Sequence, residues 1–261
     1  MAFRLPDLQQ APRAVYEELI LENRRRSRSV PEVGAFAASI ALGSRFQAEV
    51  VPGDQETQSL WFSYEATLNE VEADGRSRAR RGEELSYHNR AHVADCLLAL
   101  ACLLKLDNCL DEKLKLLGLL VMAGHDLGHQ GFTNEQLGSP GEQERQTLAR
   151  LAEGAWAGLP SPYLELASRL VLGTDPAVVM HNHQQMLETK EFDASRLLQV
   201  YVNEADIAGS LHPGLAEVLT MQLLAERNQA VTKSAAAGLY RDFRRKAMVS
   251  SAAGRLLFGH V

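Results

Sequence analysis

Apolar residues recur along most of the chain at steps of three and four, and almost nowhere at every second position. Ala91, Ala94, Leu98 and Ala101 trace one face of a helix at that step. From Lys113 to Gly124 the chain is apolar nearly all round, the pattern of a helix buried at the centre of a fold. Leu197, Val200 and Tyr201 give a further apolar face, and Asp206 follows on the same predicted helix. No run of alternating β-branched residues ends in a glycine-containing two-residue turn, so strands are not expected. Pro160, Pro162, Pro176 and Pro213 fall between the periodic segments, where helices start or stop. The pattern predicts an all-α, multi-helix bundle of about ten helices. Gly75–Glu84, polar and charged, reads as a linker. It would separate an N-terminal helical segment or cap, residues 1–74, from a main domain over 75–261, unless the two form one continuous domain.

Composition narrows the partners. The 261 residues are 46% hydrophobic and 23% charged, which excludes a disordered chain. Lys and Arg number 27 against 33 Asp and Glu, a net charge of −6. That balance argues against nucleic acid or an anionic membrane as partner and leaves room for a small anionic ligand. The longest apolar stretch, Leu116–Gly124, is about half of the ~20 residues a spanning helix needs. Arg4 and Asp7 stand where a secretory leader would have its apolar centre. Cys96, Cys102 and Cys109 are odd in number and lack CxxC spacing, so reduced thiols along a helix and a cytoplasmic location are expected. Arg24, Arg25, Arg26 and Arg28 read as a solvated helix face, and Arg76–Arg81 as a second basic run. Nothing in the sequence specifies an oligomeric state.

The chemistry is concentrated in two histidine clusters. The first is Tyr87-His88-Asn89-Arg90-Ala91-His92, in which His88 and His92 would lie one helical turn apart on a shared face. The second, His125-Asp126-Leu127-Gly128-His129, closes the most apolar helix, where a buried polar pair must be satisfied. Either pair alone reads as a hydrogen-bonded core histidine; both together do not. With Asp206, the residues His92, His125 and Asp126 make two imidazoles and two carboxylates without a thiolate. Such a set suits Zn, Mn or Fe, and Mg where water fills several positions. Adjacent residues diverge by about 100° on a helix. His125 and Asp126 therefore reach around a binuclear centre more easily than they chelate a single ion.

The order His…His-Asp…Asp resembles the HD phosphohydrolase superfamily. The fuller pattern is similar to the class I 3′,5′-cyclic nucleotide phosphodiesterases. It comprises Tyr87-His88-Asn89-Arg90-Ala91-His92, then His125-Asp126-Leu127-Gly128-His129-Gln130-Gly131-Phe132-Thr133-Asn134, then Thr174-Asp175, then Ala205-Asp206. It spans about residues 87–210. The resemblance implies a helical catalytic domain around two divalent metal ions, with His92, His125, Asp126 and Asp206 on the tighter ion and Asp126 bridging to the second. It makes His88 the general acid for the leaving oxygen and a metal-bridged hydroxide the nucleophile, with His129 orienting that hydroxide or a carboxylate. Tyr87, Asn89, Asn134, Glu142 and Asp175 become pocket or outer-shell residues. The substrate implied is a small nucleotide-type phosphoester, a 3′,5′-cyclic nucleotide among the candidates.

Two features depart from that pattern. Ala205-Asp206 continues into Ile207-Ala208-Gly209-Ser210 rather than a Ser-Asn-Pro-like run, and neither Gln222 nor Gln229 stands in a purine-clamp context. Two other readings follow from the same scaffold. A di-iron oxygenase would need a further ligand, for which His181 is the candidate. A non-catalytic nucleotide sensor would have little use for His88.

Overall fold

The structure, a computed structural model, describes residues 7–29, 54–189, 191–229 and 231–259. Arg4, Arg26 and Arg28, which carried expectations above, lie outside the described side chains. Twelve helices and no strand are found among the described residues. They are α1 (Pro12–Ser29), α2 (Gln55–Arg81), α3 (Arg90–Leu106), α4 (Glu112–Gly124), α5 (Asn134–Leu137) and α6 (Glu142–Glu153), followed by α7 (Ser161–Leu172), α8 (Pro176–Glu188), α9 (Ala194–Leu211), α10 (Ala216–Glu226), α11 (Lys233–Lys246) and α12 (Ala252–Phe258). The all-α expectation holds, and the prolines mark the boundaries of α7, α8 and α9.

At the centre stand α3 and α4. Every residue from Val93 to Leu104 and from Lys115 to Gly124 is buried. That is the environment an all-round apolar helix demands, each fully buried leucine stabilising the fold by about 1.5–3 kcal/mol. Around them, α9 packs on both α3 and α4, α2 on α4, and α1 on α3. Tyr16, Ile20, Leu60, Tyr64 and Leu68 join Leu98, Leu100, Leu117 and Leu120 in one hydrophobic cluster. Gly118 lets α4 approach α9 closely, since a Cβ there would come within 2.7 Å of Leu198.

The expected linker at Gly75–Glu84 is instead the last two turns of α2 and its cap. Ion pairs along the helix replace apolar periodicity as its support: Glu72 with Arg76, and Asp74 with Arg78 at 2.7 Å. Gly75 is buried because the Arg90 side chain crosses it. Arg90 runs on to Glu72 and Glu84, both at 2.8 Å, and so holds the turn between α2 and α3. At φ 70°, Gly82 ends the helix in the left-handed conformation that glycine adopts without steric cost.

The solvated face expected at Arg24 is also overturned. Asp95, on α3 one turn past His92, is 1% exposed and accepts hydrogen bonds from Asn23 and Arg24 of α1. Burial pushes the Asp95 carboxyl up, and the Arg24 guanidinium works against that shift. Removing one partner of a buried ion pair strands the other. Asp95→Ala is therefore expected to cost about 3–5 kcal/mol in urea unfolding. The double variant Arg24→Met/Asp95→Ala should recover part of that loss. If the two single losses simply add, the pair is not coupled.

Candidate metal centre and active-site cleft

Three helices, α3, α4 and α9, converge on one point. Asn89 caps α3, accepting from the backbone N–H of Ala91 at 2.9 Å and of His92 at 3.2 Å, and so fixes where His92 emerges. His125 is the C-terminal cap of α4, with its Nδ1 within 2.8 Å of the Met122 carbonyl. Nδ1 therefore carries the proton, and Nε2 is left as the donor atom. Asp126 follows directly, and Asp206 comes from α9.

The donor atoms meet at ligand spacing. His92 Nε2 lies 3.2 Å from Asp206 Oδ1 and 3.4 Å from Asp126 Oδ2. His125 Nε2 is 3.3 Å from both carboxylates. Two donors about 2.1 Å from one ion, at octahedral or tetrahedral angles, are about 3.0–3.4 Å apart. Two of these atoms, His125 Nε2 and Asp126 Oδ2, are buried and make no hydrogen bond to a described residue. Buried polar atoms without partners are costly, and a divalent cation would satisfy both.

Charge tells the same story. Burial works against an imidazolium at His125, yet Asp126 and Asp206 outweigh it and push its pKa up to about 9. Burial would raise Asp126 and Asp206, but the neighbouring histidines hold both well below the usual carboxylate range. The cluster thus draws positive charge to its centre, as protons or as a metal that displaces them.

One donor escaped the sequence reading. Cys96, one turn beyond His92, has its Sγ 3.5 Å from His92 Nε2 and belongs to a set with His92, His125 and Asp206 whose donor atoms lie within 4.8 Å of one another. Burial pushes its thiol up to about 12. The three cysteines are free as expected; Cys96 and Cys102 are buried on α3, while Cys109 lies past the helix and is exposed.

His88 does not lie on α3 as expected. It precedes the Asn89 cap, with its ring 5.7 Å from that of His92. Glu226, at the end of α10, holds it there. One carboxylate oxygen accepts from the backbone N–H of Tyr87 at 2.8 Å and of His88 at 3.0 Å, and the other takes His88 Nδ1. His129 stacks on His88 with centroids 3.9 Å apart. Its Nδ1 accepts from the backbone N–H of Gly131 at 2.9 Å, and Arg78 donates to its carbonyl at 2.7 Å. Burial, and then the charge of His88, lower the His129 pKa to about 4, so His129 stays neutral beside its neighbour.

These groups open into a cleft of about 810 Å³ lined by His88, Asp126, His129, Asn134, Asp175 and Asp206, among others. Asp175 caps α8 and is 5% exposed. Asn134 donates to Glu144 at 2.9 Å and accepts from the backbone N–H of Gln143 at 2.8 Å. Glu142, where the sequence suggested an outer carboxylate, bonds Ser139, Arg145 and Gln146 and does not line the cleft, whereas Glu144 is buried and lines it. Gln143 also lines the cleft, and neither atom of its amide has a partner among the described residues. Tyr87 bonds Ser210 at 3.0 Å and packs 4.9 Å from the His92 ring, supporting that imidazole from behind. His181 is exposed on α8 and bonds Gln185 at 2.8 Å; it joins no cluster of donors among the described residues.

The sequence model of the family described as 3′5′-cyclic nucleotide phosphodiesterase matches residues 87–140. The matched stretch carries both histidine clusters, so the resemblance read from the motifs is borne out there, and the match supports phosphodiester hydrolysis at the family level. No curated protein matches the chain.

Proposed function

We propose that the chain is a metal-dependent phosphodiesterase acting on a small nucleotide-type phosphoester, with 3′,5′-cyclic nucleotides among its candidate substrates. The carrying observation is the convergence of His92, His125, Asp126 and Asp206, with two buried donor atoms unpartnered, beside a histidine held by Glu226. His92, His125, Asp126 and Asp206 would hold the first of two divalent ions, and Asp126 would be shared with the second. Such ions neutralise phosphate charge and lower the pKa of water. His88 supplies the proton to the leaving oxygen. Its Nδ1 is committed to Glu226, which leaves Nε2 for the substrate, and a positioned acid of this kind is worth about 10²–10⁴-fold. His129, kept neutral with its Nδ1 accepting from Gly131, carries its proton on Nε2 and can donate a hydrogen bond into the cleft while its stacking keeps the His88 ring in place. Asn134 and Glu144, hydrogen-bonded to each other, line the same cleft as Asp126.

None of the described helices is long and apolar enough to cross a membrane; a cytoplasmic location remains part of the proposal. The di-iron alternative loses its extra ligand with His181 exposed on α8. Metal-stripped protein, reloaded with Mn, Mg or Zn and screened against cyclic and linear nucleotides, should hydrolyse at least one of them only when metal is present. Binding without turnover across the whole panel would favour the sensor reading.

A further inference from the structure

Arginines in this protein are mostly spoken for. Arg24 pairs with Asp95, Arg78 with Asp74, Arg90 with Glu72 and Glu84, and Arg150 with Glu70 and Asp74. Arg80, Arg169, Arg241 and Arg244 are unpaired among the described residues but exposed to solvent, whereas Arg227 is unpaired inside the cleft. It is half-buried, lines the active-site cleft, and its side chain makes no hydrogen bond or ion pair with a described residue. Lys246, at the end of α11, lines the same cleft and is equally unpaired. Both stand near helix C-termini, where a cation is favoured by the helix dipole. That placement explains why the charges are tolerated, but not why both border the cleft and neither closes on Glu135, Glu144 or Asp175, which line it too.

Arg227 directly follows Glu226, the residue that grips His88, so its backbone is fixed relative to the point where the leaving oxygen would be protonated. The cleft, at about 810 Å³, stands in the upper part of the usual range for small-molecule sites, about 300–1,000 Å³. A singly charged mononucleotide held at the proposed metal ligands would leave both cations unused. A second anionic group on the substrate would be repelled by the acidic lining unless a cation received it, and a guanidinium matches a phosphate with two parallel hydrogen bonds.

We propose that Arg227 and Lys246 form an anion subsite that selects nucleotide phosphodiesters carrying a second phosphate, as dinucleotides and phosphorylated nucleotides do. This rests on the phosphodiesterase reading and names the substrate class of the same cleft.

The test uses the metal-reconstituted chain with thymidine 5′-(p-nitrophenyl phosphate) and its 3′-phosphorylated derivative. The wild type should prefer the second by about tenfold or more in kcat/KM, chiefly through KM, and added salt should shrink that preference. In Arg227→Gln/Lys246→Gln the ratio should fall toward one. Because the ratio is taken within each protein, a general loss of folding or metal cancels. Calorimetry with thymidine 5′-phosphate and thymidine 3′,5′-bisphosphate gives an activity-free readout, with the bisphosphate binding more tightly to the wild type alone. Equal treatment of the two substrates by the wild type, or a ratio that survives the double substitution, overturns the subsite. If neither ester is hydrolysed the phosphodiesterase reading falls, and calorimetry still decides the subsite.

Discussion

Asp126→Ala should lose metal stoichiometry and turnover together while its helix content stays near that of the wild type. Asp126 presents its Oδ2 within 3.4 Å of His92 Nε2 and 3.3 Å of His125 Nε2, and that oxygen is buried without a hydrogen-bond partner. In the proposed centre it serves both ions, so its removal damages both. Loss of an outer-shell partner typically costs about 10–100-fold in affinity, and the loss here should exceed that. Elemental analysis after equilibrium dialysis reads the stoichiometry, and far-ultraviolet circular dichroism reads the fold. Two equivalents of metal retained in the variant would remove Asp126 from the centre. Thermal unfolding should differ between variant and wild type mainly when metal is added, because a ligand stabilises only the state that binds it.

His88→Ala should separate two classes of substrate. A general acid matters in proportion to how badly the leaving group needs a proton. On a diester with an alkoxide leaving group the variant should lose about 10²–10⁴-fold. On a p-nitrophenyl diester, whose nitrophenolate departs unaided, most of the rate should remain. Metal content should be unchanged, since His88 stands outside the group of His92, Cys96, His125 and Asp206; a loss of metal would instead mark the second ligand-capable group, His88 with His129 and Glu226, as an ion site. Glu226→Gln keeps a hydrogen-bonding side chain but removes the charge opposite His88, so it should show the same selectivity between substrates with a smaller loss. His92→Ala should impair both substrates alike and lower the metal content. Equal losses on both substrates by His88→Ala, with metal lost as well, would make His88 a ligand and overturn the mechanism.

The residues that were legible in the sequence share one property: their spacing is local. His88, His92, His125, Asp126 and His129 fall in two short strings, and the apolar run ahead of His125 announces the buried helix that delivers it. Asp206 was reachable because an apolar-faced helix carries it. Glu226 was not, for it lies 138 residues from His88 at the end of an ordinary helix, and only the docking of α10 on the segment before Asn89 brings the two together. Asn134 bonds Glu144 rather than Glu142, and sequence distance could not distinguish two carboxylates two places apart, one on either side of Gln143. Their opposite orientations follow from the helical turn of about 100° per residue. The mistaken linker has a similar cause. Ion pairs one turn apart support α2 through Arg81 as effectively as an apolar stripe would, but they read as mere polarity in a linear sequence.

The position of Cys96 gives this centre an internal clock. Its thiol is 1% exposed, packed against His92, and held protonated by burial, while Cys109 lies open to solvent. A thiol reagent should modify Cys109 at once and reach Cys96 only in the moments when α3 and α9 part around the cluster. Ions that tie His92 to Asp206 across those helices would make such moments rarer. The slow phase of labelling, compared with and without metal in a Cys102→Ser background, would therefore time how often the cluster of His92, His125 and Asp206 opens.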